Sequence, residues 1–409
     1  MTKKPFLKRL GPGIITGAAD DDPSGIGTYT SVGAAAGYGF LWSALWLLPL
    51  AYSVQEACAR LALVTGKGLA AVIKSRLPRW VLVLAVMVVA IANTVNIAAD
   101  LSIMSAALGL LVPINQWLGV LLFAVLLAAT EILIPYHRYS KVLRWLCLSL
   151  LAYVAVLFVA KVDWGQVVIS SLVPEFDFSR VSFGLLLALA GTTISPYLFF
   201  WQAAEEVEEH KNIRTRRVRL SNLQAMRGDV FSGMFTGVFI MFAIMATAAA
   251  TLNAQGLTEV ESAADAALAL KPIAGEFASL LFLLGILGVG LLSIPVLAGA
   301  TAYAVAETFG WRESLELKPR QAKAFYAVIA ISLVVALLLN LIGIEPVQFL
   351  ILAAVLNGLS APVLMAIIWW LARDKNLLGK WASGKLSQTV LGIATLAMAS
   401  LPVFWLLAG

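Results

Sequence analysis

Three consecutive acids, Asp20, Asp21 and Asp22, precede Pro23-Ser24-Gly25 inside the first apolar stretch of the chain. Carboxylates grouped in this way hold a divalent cation through oxygen, or hold the waters around it. At membrane depth the grouping is costly. One ionised Asp at a helix centre costs about 2.5–3.5 kcal/mol on insertion scales, so the triplet calls for water, a bound cation or partial protonation. Pro23 removes an amide donor and Gly25 accepts dihedrals closed to other residues, so the helix should open here. Carbonyls freed by an opened helix are tolerated in a membrane only where they line a polar cavity or hold an ion. The stretch reads as a cation site on a broken helix.

The elements that must position it follow from composition. Of 409 residues, 61% are hydrophobic and 13% charged, about half the charge of a soluble domain, and the apolar residues come in runs of about 20. This predicts an all-α polytopic membrane protein. The basic start leads straight into the acids without a small-residue cleavage site, so no cleavable signal is expected. Cys58 and Cys147 both lie in apolar segments and support neither a disulfide scaffold nor a thiolate cluster. His137 and His210 flank loops and are expected to face water. There is no nucleophile–base arrangement, hydrolase metal spacing or phosphate loop, so neither an enzyme nor a resident cofactor is predicted.

Eleven spans are expected: 13–37 (interrupted), 40–63, 80–111, 117–134, 142–160, 182–204 (interrupted), 230–252, 277–309, 324–342, 347–371 and 386–408. With the N-terminus cytoplasmic, every Lys and Arg falls on the inner side except Lys161, Arg180 and Lys271, which puts the C-terminus outside. The net positive charge is then topogenic, with the 211–227 run facing anionic lipid, and it needs no nucleic-acid partner. No protein partner is evident. The sixth span is broken like the first, by Gly191-Thr192-Thr193-Ile194-Ser195-Pro196-Tyr197. Two sets of five spans, each opening on a broken helix, are oppositely oriented, the pattern of LeuT-like inverted-repeat transporters that hold substrate between the breaks. The expected repeats are 11–161 and 182–371, with an eleventh helix, 386–408, outside them.

Gly11-Pro12-Gly13, Asp22-Pro23-Ser24-Gly25, Gly37-Tyr38 and Trp42 resemble the opening of the Nramp divalent-metal transporters, whose first helix carries an Asp-Pro-Gly-Asn motif. Gly191 to Pro196 is similar to their sixth-helix stretch through Met-Pro-His, and Leu356 to Pro362 to their tenth helix. The resemblance implies a metal site. Asp22 falls on the motif's metal-binding Asp, Gly25 on its Asn, Thr192 on a residue that offers a backbone carbonyl, and Ser195 on the metal-binding Met. Tyr197 stands at the motif His, and Ala354 where many members carry a Gln near the metal.

These departures have a chemical direction. A thioether favours polarisable transition metals, and a hydroxyl in its place leaves an oxygen-only site. Smaller residues at 25 and 195 are expected to enlarge it. Magnesium, which usually keeps several waters and touches one or two carboxylates, suits such a site, and manganese also accepts oxygen ligands. This resembles the Nramp-related magnesium branch of the family. Proton coupling is expected to be weak or absent. Gln202 stands at the family's second span-six His, Asp100 keeps one span-three acid while Ile103 replaces the next, and span nine has no internal base.

Asp20 and Asp21 are vestibule candidates beside capping or solvated roles, and Glu205, with Glu206, Glu208 and Glu209, could draw cations to the inner mouth or simply end the helix. Glu56, Glu131 and Asp100 lie in or near spans, and Asp100 shares its helix with Asn93 and Asn96. Two other readings stand beside magnesium transport by alternating access. One is a proton-coupled manganese or iron importer with a degenerate site. The other is an amino-acid/sodium symporter on the same scaffold, disfavoured because a carboxylate substrate wants a half-helix N-terminus and not three acids.

Overall fold

The computed structural model describes residues 12–134, 148–210 and 218–408. The basic start, the beginning of the fifth span with His137 and Cys147, and the basic stretch 211–217 lie outside the described residues. Eight helices among the described residues are long and apolar enough to cross a membrane. The first span is two short helices, Pro12–Asp20 and Pro23–Ala36. The fourth is Gln116–Leu133, and the described part of the fifth ends in Leu151–Val159. Spans two, three and six run Trp42–Thr65, Arg79–Gly109, and Arg180–Thr193 followed by Pro196–His210. Spans seven to eleven are Leu220–Thr251, Ala278–Phe309, Lys323–Leu339, Pro346–Ala372 and Lys385–Leu407. No strand occurs among the described residues. The largest departure from expectation is span seven, which starts ten residues before 230 because its polar first turns extend past the apolar run.

Both breaks have local causes. Asp22 is the N-cap of Pro23–Ala36: its carboxylate accepts from the Gly25 amide at 2.8 Å, and Pro23 at the first helical position gives up no bond. In span six, Ser195 turns its hydroxyl back onto the carbonyls of Thr192 (2.7 Å) and Gly191 (2.9 Å), satisfying acceptors that the broken helix leaves open, and Pro196 starts the second half.

The two broken spans lie antiparallel with their breaks level. Thr16, in the first half of span one, donates to Gln202 of the second half of span six at 2.7 Å. Tyr29, in the second half of span one, lies against Thr192 and Thr193 in the first half of span six. Glycines permit the close approaches. A Cβ on Gly17 would stand 2.2 Å from the carbonyl oxygen of Gly233, and one on Gly13 2.6 Å from the amide of Val230. Gly13 thus faces Asp229 and Val230, and Gly17 faces Gly233 and Gly237, so the backbones of spans one and seven touch. Gly191 meets Ala354 and Gly358 in the same way, seating the break of span six on span ten.

Basic residues tie one end of the bundle. Lys74 donates to the Thr308 carbonyl (2.8 Å), Arg76 pairs with Asp374 (3.4 Å), and Arg60 reaches the Trp381 carbonyl (3.0 Å). Glu56 is buried against Arg60 on its own helix and Arg227 of span seven. Span eleven packs outside on spans ten and six, with Gly392 on the Trp369 ring and Phe404 stacked on Phe183 at 5.4 Å.

Candidate functional site

Between the breaks, Asp20, Asp21 and Asp22 are each 2% exposed, and Thr192, Ser195, Tyr197, Asp100 and Gln202 are as deeply buried. Asp22 is the hub. Its Oδ1 accepts from the Ser24 hydroxyl (2.7 Å) and the Gly25 amide (2.8 Å). Its Oδ2 accepts from the Asn96 side chain (2.8 Å), and the Tyr197 hydroxyl stands 3.5 Å away while donating to the Ala19 carbonyl at 2.9 Å. Tyr197 therefore stitches the start of one half-helix to the end of another across the two breaks. Every one of these partners is neutral.

The other expected residues are placed unevenly. Gly25 meets Asp22 through its amide, and the room beside it is taken by the Tyr29 ring, 3.2 Å from where a Cβ would sit. Thr192 and Ser195 form one unit, since the Ser195 hydroxyl rests on the Thr192 carbonyl. Asp20 points toward span seven, its carboxylate 3.4 Å from the Cβ position of Gly237. Gln202 belongs to the contact between half-helices below the breaks. Asp100 joins Asp22 through Asn96, whose amide nitrogen also lies 3.3 Å from Asp100 Oδ2. Glu205 lies farther along span six, toward Tyr303 and away from the breaks.

Two side chains of the hub carry no signal as ligands in the sequence. Asn96 appears there only as a polar residue sharing a helix with Asp100. Asn357 of span ten, fully buried, donates to Asn96 Oδ1 at 3.1 Å. It sits one turn beyond Ala354, so a carboxamide from span ten is present although the expected Gln position holds alanine. Asn93, by contrast, is spent on Thr301 of span eight at 2.8 Å.

Several buried acceptors lack donors, and the Gln202 amide nitrogen is a buried donor without an acceptor among the described residues. Asp20 Oδ1, Asp21 Oδ1, Asp100 Oδ1 and Asn357 Oδ1 have no hydrogen-bond partner among the described residues. Carboxylates, hydroxyls and carbonyls converge here, with the Met241 thioether to one side accepting from the Thr193 hydroxyl at 3.3 Å, and the oxygens fit a cation or the hydrogens of its water shell. No group of three or more His, Cys, Asp or Glu side chains suited to holding a metal on their own occurs among the described residues, so backbone, amide and water oxygens would have to complete a shell.

Antiparallel broken helices crossing at a buried polar hub define a membrane carrier, not an enzyme. The model of the family described as "Natural resistance-associated macrophage protein-like", Nramp, matches residues 13–408, and the chain belongs to that family. It is 27% identical to the divalent metal cation transporter MntH of Pectobacterium carotovorum subsp. carotovorum (strain PC1), over 99% of this chain and 95% of that protein. The fold is similar to the crystal structure of the Eremococcus coleocola manganese transporter in complex with an aromatic bis-isothiourea substituted compound: TM-score 0.76, 17% identity, 98% of this chain and 87% of that one. It is also similar to closed Mhp1, a nucleobase-cation-symport-1 family transporter: TM-score 0.63, 13% identity, 98% and 90% covered. At those identities the two structures speak to the fold alone.

Proposed function

We propose that this chain carries divalent cations across the membrane, magnesium chiefly and manganese as well, partly hydrated, by alternating access and with weak or no proton coupling. The observation that carries the reading is the group of unpartnered buried oxygen acceptors around Asp22. A bare transition metal wants direct ligands, whereas a cation that keeps its waters brings hydrogens that want acceptors, and Asp100 Oδ1 and Asn357 Oδ1 are such acceptors. Ser195, in place of a thioether, removes the soft contribution. Gln202, bonded to Thr16, does not titrate near neutral pH, which supports weak coupling. The repeats are proposed as 11–161 and 182–371 with helix 386–408 appended, the N-terminus inside and the C-terminus outside. The antiparallel broken spans and the basic residues gathered at one end of the bundle support that arrangement.

A proton-coupled manganese or iron importer with a degenerate site is the second reading, in keeping with the 27% identity to a divalent metal cation transporter. Uptake into proteoliposomes under a negative internal potential, with internal magnesium and pH dyes read together, separates the two. Magnesium entry without acidification supports the first reading. Entry of manganese alone, with acidification, replaces it with the second.

A further inference from the structure

Asn96 and Asn357 form a bridge whose polarity is set from one end. Asn96 lies between two carboxylates, Asp22 Oδ2 at 2.8 Å and Asp100 Oδ2 at 3.3 Å. An ionised carboxylate only accepts, so with Asp22 and Asp100 charged Asn96 turns its NH₂ to them and its carbonyl oxygen away. That carbonyl meets Asn357 at 3.1 Å, so Asn357 must in turn present its NH₂ and turn its own carbonyl oxygen outward. This last oxygen is buried and unpartnered among the described residues. A buried carbonyl without a donor is costly, and a leucine of similar size would avoid the cost.

We propose that Asn357, oriented through Asn96, is a specificity-determining residue that accepts a hydrogen bond from a water carried by the cation. The inference rests on the hydrated-magnesium reading above. It makes span ten a sensor of the ion's water shell, not of its bare charge. Manganese sheds water more readily than magnesium and depends less on this contact.

The test is uptake of magnesium and of manganese by full-length protein in liposomes, for wild type, Asn357→Leu and Asn357→Asp. Thermal melting and elution volume verify the fold of each variant. Leucine removes the acceptor and the donation to Asn96 at similar volume, whereas aspartate loses that donation but keeps an acceptor. Asn357→Leu is expected to lower kcat/KM for magnesium about tenfold, the size of one buried hydrogen bond, and for manganese no more than about threefold. Asn357→Asp is expected to stay within about threefold of wild type for magnesium. An equal loss for both ions in both variants, or no loss in either, overturns the proposal and leaves Asn357 a tie between spans three and ten. Absence of magnesium entry in wild type overturns the hydrated-magnesium reading, and this inference with it.

Discussion

Two groups of buried acids lie in the same bundle and are handled in opposite ways. Glu56 is as buried as Asp22, yet it is met by Arg60 and Arg227, and the Arg60 guanidinium continues to the Trp381 carbonyl. Asp22 is met by a hydroxyl, an amide, a carboxamide and a phenol, none of them charged. An acid that brings its own counter-charge locks helices together. On the reading proposed above, one surrounded by neutral donors keeps its charge available to a mobile ion. Burial alone does not separate structure from function in a membrane protein. The sign of the partner does.

Predictions that break or sharpen this contrast run from large to small. Asp22→Ala should reduce metal uptake to that of empty liposomes. The lost N-cap costs only about 1 kcal/mol, so the protein should still elute as a folded species. Asp22→Asn, which keeps a capping oxygen, should be equally inactive, and near-normal transport by it would move the site elsewhere. Glu56→Ala should do the reverse. It leaves Arg60 buried without its counter-charge, so a loss of about 3–5 kcal/mol in stability is expected in a melting experiment, with transport per folded molecule nearly unchanged. A Glu56→Ala protein that melts like wild type but does not transport would merge the two groups into one machine.

The remaining predictions act on selectivity. Ser195→Met should raise manganese or cadmium uptake relative to magnesium about tenfold, measured by competition, since a thioether prefers polarisable ions. No shift would mean that retained water, and not ligand softness, sets the preference. Restoring an asparagine at position 25 should not have the effect its chemistry suggests. Its Cβ would lie 3.2 Å from the Tyr29 ring, so Gly25→Asn alone should lower uptake a few-fold, and removal of the ring in a second variant, Tyr29→Ala, should relieve it.

The sequence discloses the scaffold better than the hub. Most described span ends were legible because apolar length and basic punctuation are local signals, the polar start of span seven excepted. The breaks were legible because Pro23 and Pro196 act on their own neighbourhoods, and both begin half-helices. Nothing local marks Asn357 as a neighbour of Asn96. It touches Asn96 from 261 residues away, and an asparagine in a helix looks the same whether it holds a neighbouring helix, as Asn93 does, or completes a hub. The space beside Gly25 was misleading for a similar reason. A small residue predicts room, and only the fold reveals that Tyr29, one turn on, fills it.

The partners of Asp22 also set a schedule for synthesis. Asn96 lies 74 residues downstream and Tyr197 175, and the Asp229 carboxylate that receives the Gly13 amide lies 216 residues after it. At about 5–20 residues per second, roughly 10–35 s separate the emergence of Asp22 from that of Tyr197. For that interval the first span is a poor membrane segment, its acids served by water or lipid headgroups and its glycine face bare. The nascent first helix therefore cannot complete its contacts before span seven has emerged.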